Sequence, residues 1–137
     1  MDFIVGAVLA FSVGLAATFI GLDRDRAFYP TVMAVIASYY ALFAVMGGSF
    51  RVLAVESVAI VAFLAAAVAG FKWSLWLVVA ALAGHGMFDI THARLISNPG
   101  VPVWWPRFCL AYDVVAAAYL AVLLSRSGQR RQEVSGR

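Results

Sequence analysis

Charged residues are scarce in this 137-residue sequence: 12% of it is Asp, Glu, Lys or Arg, whereas 64% is hydrophobic. The mean hydropathy of +0.93 leaves too little polar surface for a domain that folds in water. The net charge is +3, but the basic residues form no interleaved basic face, which argues against nucleic-acid binding. The composition therefore predicts a protein whose partner and solvent is a lipid bilayer.

Cysteine and histidine are equally rare. The single cysteine, Cys109, excludes an intrachain disulfide and a CxxC redox or zinc motif. It lies one turn before Asp113 and could be a soft metal ligand, but in an apolar helix it is interpreted as a packing residue. Two histidines are too few for the multi-histidine pattern of membrane fatty-acid desaturases and hydroxylases. Both lie in one apolar segment, whereas a bis-histidine haem normally takes its ligands from facing helices.

Five apolar segments are long enough to cross a hydrocarbon core of about 30 Å as helices. They run approximately over residues 3–22, 27–46, 52–71, 73–96 and 106–124. Charged residues and turn-forming glycines and prolines separate them. The sequence predicts an all-α integral membrane bundle of about five transmembrane helices. It forms one domain over residues 1–125 and has a disordered, basic cytoplasmic tail over 126–137.

Basic residues between the segments predict the orientation, because cytoplasmic loops retain Lys and Arg. With the tail inside, Arg24, Arg26 and Lys72 are also inside, against three arginines outside. This favours an external N-terminus and a cytoplasmic C-terminus. Without the tail the count is three against three, so the tail decides the orientation.

Polar residues of the fourth segment fall on one side of a helix. His85, Asp89 and His92 stand at positions i, i+4 and i+7, and at about 100° per residue they form one narrow stripe. Imidazole and carboxylate groups bind divalent metals such as Zn, Fe or Mn. One helix seldom completes a coordination sphere alone, so the stripe predicts a metal site that needs neighbouring helices.

Acidic residues of three segments lie at matching depths. Glu56, Asp89 and Asp113 are each five or six residues from an arginine near the predicted outer end of their helix, which is about 7 to 9 Å of depth. Buried ionisable residues in a membrane are costly and indicate function. We therefore predict that Glu56 and Asp113 support the metal and that one of them is the general base. Tyr39 and Tyr40 lie where they can reach the same level. Depth does not fix direction, so whether these acids face the stripe stays open.

Several uses of such a site stay open. In the leading hypothesis, a divalent metal activates water or polarises a carbonyl or phosphoryl group of a lipid-like substrate. Alternatively, the site relays metal ions or protons, and so short a transporter would form a homo-oligomer. A third hypothesis is a membrane interaction or scaffold protein whose polar residues are structural hydrogen-bonding partners. A metal-free acid/base or ligand-binding pocket is the remaining alternative.

Three stretches carry a resemblance to known proteins. They are DRDRAFYP at 23–30, HGMFDITH at 85–92 and NPGVPVWWP at 98–106. With these stretches the chain resembles a group of uncharacterised small polytopic bacterial inner-membrane proteins with no known activity. The resemblance implies a multi-pass protein of the bacterial inner membrane and implies nothing about mechanism.

Overall fold

The chain folds into five long helices. The computed structural model describes the backbone of residues 1–135 and the side chains of residues 1–128. A short 3₁₀ turn, Leu22–Arg24, follows the first helix. This confirms the predicted all-α bundle. In chain order the helices are α1 Asp2–Ile20, α2 Phe28–Met46, α3 Phe50–Lys72, α4 Trp76–Leu95 and α5 Trp105–Ser135.

Four of these helices, α1, α2, α3 and α5, are long and apolar enough to cross a membrane. The fifth, α4, has a comparable length of 20 residues, but its polar residues lower its hydropathy. Its side chains His85, Asp89 and His92 are at most 2% exposed. The bundle accommodates α4 because the polar stripe faces other helices instead of lipid.

The helix ends use side chains to satisfy free backbone groups. The Ser49 hydroxyl accepts a hydrogen bond of 3.2 Å from the Val52 amide and so caps the start of α3. At the other end of α3, the Arg26 guanidinium donates to the carbonyls of Gly70 and Phe71. This contact ties the loop between α1 and α2 to the turn between α3 and α4.

The five helices form a sequence of neighbouring pairs. Among the described residues, α5 packs between α1 and α4, and α3 packs between α2 and α4. Helix α2 also contacts α4, whereas α1 and α2 do not pack closely against each other. The gap between α1 and α2 therefore lies over one face of α5. Apolar side chains at the centre include Met33, Ala37, Val78, Leu82 and Leu120.

Helix α5 extends further than its apolar segment. The hydropathy pattern predicts an end near Leu124, whereas the helix continues to Ser135. Arg, Gln and Glu in this extension are good helix formers, so hydrophobicity is not needed to prolong the helix beyond the bilayer. The predicted disordered tail overlaps this extension; residues 136–137 lie outside the described chain.

The contact between α1 and α5 depends on Gly6. A β-carbon at this position would overlap the carbonyl oxygen of Phe108 on α5. We expect Gly6→Ala to lower the free energy of unfolding by about 1 to 3 kcal/mol, because the two backbones must separate. Thermal unfolding in detergent measures this, with Gly84→Ala as the matched control because nothing lies within 4 Å of its β-carbon. Equal stability of the two variants would contradict the close α1–α5 contact.

Candidate metal centre

The ionisable side chains of the bundle interior gather at one end. At this end α4 passes into the loop of residues 96–104 and α5 begins. Helices α3, α4 and α5 each contribute to the group, and none of its members is more than 2% exposed. The buried ionisable side chains are Glu56, His85, Asp89, His92 and Asp113.

Four residues from α4 and α5 converge on one point. His85 Nδ1 lies 2.8 Å from Asp113 Oδ2 and 3.4 Å from Asp89 Oδ2. Cys109 Sγ lies 3.9 Å from the same oxygen of Asp113. One potential ligand atom from each of His85, Asp89, Cys109 and Asp113 lies within 4.8 Å of the other three. We call these four residues the metal centre.

The spacing of the metal centre suits a small cation. Tetrahedral ligands at about 2.0 to 2.3 Å from zinc are separated from one another by about 3.3 to 3.8 Å. To reach this spacing, the longest separation of 4.8 Å must contract by about one ångström and the 2.8 Å contact between His85 Nδ1 and Asp113 Oδ2 must lengthen by about half an ångström. The imidazole, thiolate and carboxylate groups are the ligand types that bind Zn²⁺ and Fe²⁺.

Two carboxylate oxygens of the metal centre have no hydrogen-bond partner within the described chain. They are Asp89 Oδ2 and Asp113 Oδ1, and both are buried. The other oxygen of Asp89 accepts a hydrogen bond from the Tyr40 hydroxyl. Buried carboxylate oxygens without partners are costly, and a cation at this point would compensate them.

A second polar group adjoins the metal centre. His92 Nε2 lies 2.7 Å from Glu56 Oε1, and the Asn98 side-chain amide donates to the same oxygen at 2.9 Å. Asn98 Oδ1 accepts a hydrogen bond of 3.1 Å from the Gly100 amide. A β-carbon at Gly100 would overlap the carbonyl oxygen of Phe43, so glycine permits the loop to pack closely against α2. Glu56 thus joins α3, α4 and the loop.

Aromatic rings lie between the two polar groups. Tyr40 stacks on His92 with ring centroids 4.1 Å apart, while its hydroxyl reaches Asp89. Phe63 packs edge-on against His85 at 4.8 Å. These rings replace water around the imidazoles and fix their orientation.

The structure brings together most of the residues predicted from sequence and divides them into two groups. His85 and Asp89 belong to the metal centre. His92, the third member of the predicted ligand stripe, turns to Glu56 instead, because a residue at i+7 lies nearly two turns further along the helix. Both predicted acids face α4: Asp113 contacts His85, and Glu56 contacts His92.

Sequence reasoning favoured packing over metal ligation for Cys109, and it did not indicate Asn98. The signal for Cys109 is its position four residues before Asp113, the same i, i+4 spacing that relates His85 to Asp89. Asn98 lies in a proline- and glycine-containing loop, and its contact with Glu56 depends on how that loop folds back. No local pattern indicates this contact.

Comparisons with known proteins provide no further guide to the site. No family model matches the sequence, and no curated protein or solved structure is significantly similar to it. The function is therefore inferred from the geometry of a buried cluster of His, Asp and Cys that could hold a metal, in a bundle with four helices long and apolar enough to cross a membrane.

Proposed function

We propose that this protein is a membrane-embedded metalloprotein that binds one divalent cation through His85, Asp89, Cys109 and Asp113. The supporting observation is the convergence of four ligand atoms within 4.8 Å of one another in a fully buried site. The proposed ligand set keeps two members of the sequence-predicted stripe and assigns His92 to holding Glu56. We further propose that the membrane is the bacterial inner membrane, with the metal centre toward its outer face.

Charge supports the presence of a cation. The buried region holds three carboxyl groups against two imidazoles. Even with both imidazoles protonated, one negative charge would be left in an apolar environment, where unpaired charge is strongly unfavourable. A divalent cation would offset two of the three negative charges carried by Asp89, Asp113 and a Cys109 thiolate.

Lipid is the substrate class that best suits this position, because the site lies among helices that span the hydrocarbon region. A bound divalent cation would supply Lewis acidity at this position. Asp113 Oδ1, which has no hydrogen-bond partner among the described residues, is the proposed proton acceptor, and Tyr40 orients Asp89 through its hydroxyl. The assignment of Glu56 as general base stays a prediction, since its hydrogen-bonded contacts hold His92 and Asn98.

A relay function is the second candidate. A row of polar groups runs from the partly buried Asn98 through the buried Glu56 and His92, across the stacked Tyr40, to the metal centre. Such a row of titratable groups is typical of proton or metal pathways. Flux of protons or zinc into proteoliposomes, abolished by Asp89→Asn, would favour a relay over an enzyme.

Elemental analysis of the detergent-purified protein tests the metal site. We expect about one Zn or Fe per chain, lost in His85→Ala and in Asp113→Asn because each removes a ligand. His92→Asn is the control: it leaves the metal centre intact and is expected to retain the metal. Circular dichroism and size-exclusion chromatography establish that each variant is folded.

Two results would overturn the proposed ligand set. The first is a folded wild-type protein that binds none of Zn²⁺, Fe²⁺ and Mn²⁺ when they are offered after purification. The second is loss of metal in His92→Asn together with its retention in Asp113→Asn, which would favour the stripe of His85, Asp89 and His92. Stabilisation of the wild type by added metal provides an independent readout, because a ligand that binds only the folded state raises the melting temperature.

A further inference from the structure

A cleft opens sideways from the bundle toward the lipid. It has a volume of about 350 Å³ and is lined by residues of α1, α2 and α5. It exists because α1 and α2 both pack elsewhere and leave a face of α5 uncovered between them. Its walls are predominantly apolar, with Leu9 on α1 and Val32 on α2. A cleft of this size lies within the range of small-molecule binding sites.

The length of the cleft matches one leaflet of a bilayer. Its lining extends along α2 from Phe28 to Tyr39, which is about 16 Å of helix. The hydrocarbon core is about 30 Å thick, so one leaflet contributes about 15 Å. The molecules that surround spanning helices at this depth are lipid chains. A single extended acyl chain therefore fits the cleft in length and polarity.

One end of the cleft reaches the metal centre. Cys109 contributes to the cleft wall, and its sulfur lies 3.9 Å from Asp113 Oδ2. At the same end Trp105 packs against Tyr39 with ring centroids 4.8 Å apart. The cleft is thus separated from the other ligand residues by a single side chain.

An unpaired polar group at this end indicates a polar ligand atom. Trp105 lines the cleft and is 8% exposed, and its indole N–H is buried without a hydrogen-bond acceptor in the described part of the chain. A buried indole N–H normally finds a partner. The carbonyl oxygen of a lipid ester is an acceptor that would accompany an acyl chain into the cleft.

We infer that the cleft binds one acyl chain of a membrane ester lipid, with the ester carbonyl near Trp105 and the metal centre. The inference rests on the proposed function only in naming this lipid as the substrate class. Chain binding itself needs no metal. Helices α1 and α2 hold the chain, and Cys109 separates the lipid from the remaining ligands.

Photo-crosslinking tests the inference. The full-length protein is reconstituted into vesicles of phosphatidylethanolamine and phosphatidylglycerol that contain a phospholipid with a diazirine on one acyl chain. After irradiation, mass spectrometry locates the adducts. We expect several-fold enrichment on Leu9 and on residues 28–39 of α2 relative to the exposed face of α3. Adducts spread evenly over all lipid-facing helices would overturn the inference.

Substitutions that fill the cleft provide the matched comparison. The double variant Leu9→Trp, Val32→Phe is expected to lower adduct formation in the cleft several-fold. Val61→Trp adds a similar volume at a position on α3 that is 62% exposed, and it is expected to leave the adducts unchanged. Trp105→Phe keeps an aromatic ring of smaller size, removes the N–H and is expected to reduce the adduct yield. An unchanged yield in the double variant would contradict chain binding in the cleft.

The same experiment in His85→Ala separates the two proposals. This residue belongs to the metal centre and does not line the cleft, so its adduct pattern is expected to match that of the wild type. Cleft adducts in a wild type that binds no metal would refute the metal site and support the chain site. Bound metal with evenly distributed adducts would support the metal site and refute the chain site.

Discussion

Glu56→Ala is expected to lower the free energy of unfolding by about 3 to 5 kcal/mol, the usual result of removing one partner from a buried charged pair. The Glu56 side chain is fully buried, and one of its oxygens lies 2.7 Å from His92 and 2.9 Å from Asn98. Alanine would remove the acceptor of His92 and leave the Asn98 amide only its weaker 3.5 Å contact with the Tyr40 carbonyl. Unfolding in mixed detergent micelles, followed by circular dichroism, measures the loss.

The conservative variant Glu56→Gln distinguishes the loss of these hydrogen bonds from a general loss of packing. Glu56→Gln keeps a carbonyl oxygen that can accept from His92 and Asn98, so it is expected to recover much of the lost stability. Ser57→Ala, at the next position of α3, removes only a hydroxyl that bonds to the Leu53 carbonyl and serves as the background control. If Glu56→Ala and Ser57→Ala have the same free energy of unfolding, Glu56 does not join the helices and the loop as the structure indicates.

The fold was largely predictable because hydropathy reports the environment of each segment directly. The limits of α2 and α3 agree with the apolar segments to within about two residues, a difference typical of helix ends. The hydropathy pattern failed at the end of α5, where helix formation outlasts hydrophobicity. It also could not show that α1 and α2 stand apart, since pairing depends on contacts such as that of Gly6 with Phe108.

The candidate site was predictable in part. The matching depths of Glu56 and Asp113 along their helices predicted that both lie level with the α4 stripe, and both contact it. The division into two groups was not predictable, because it depends on how α3 and α5 are rotated around their axes. Trp105 shows the same limit: beside Trp104 it reads as an interfacial anchor, yet only Trp104 is substantially exposed, at 49% against 8%.

Cys109→Ser is expected to lower the affinity for Zn²⁺ by at least about 10- to 100-fold. Mutating even an outer-shell partner of a metal ligand typically costs this much. The affinity for Mn²⁺ should fall much less, because manganese prefers oxygen ligands and gains little from a thiolate. Serine has nearly the shape of cysteine, so the packing of α5 against α4 is retained. Competition with a chelator of known affinity measures both constants.

The absorption spectrum of bound Co²⁺ tests the same substitution. In the wild type loaded with Co²⁺, a sulfur ligand is expected to produce a thiolate-to-metal charge-transfer band, and Cys109 is the only cysteine that can supply it. The band should vanish in Cys109→Ser while the weaker visible transitions of bound cobalt persist. Ala116→Ser, at another buried position of α5 about one turn beyond Asp113, adds a hydroxyl without changing a proposed ligand and should leave the band intact. Bound cobalt without the band in the wild type would mean that Cys109 only forms the wall between the cleft and a site of imidazole and carboxylates. Oxygen-preferring metals such as Mn²⁺ would then be favoured over zinc.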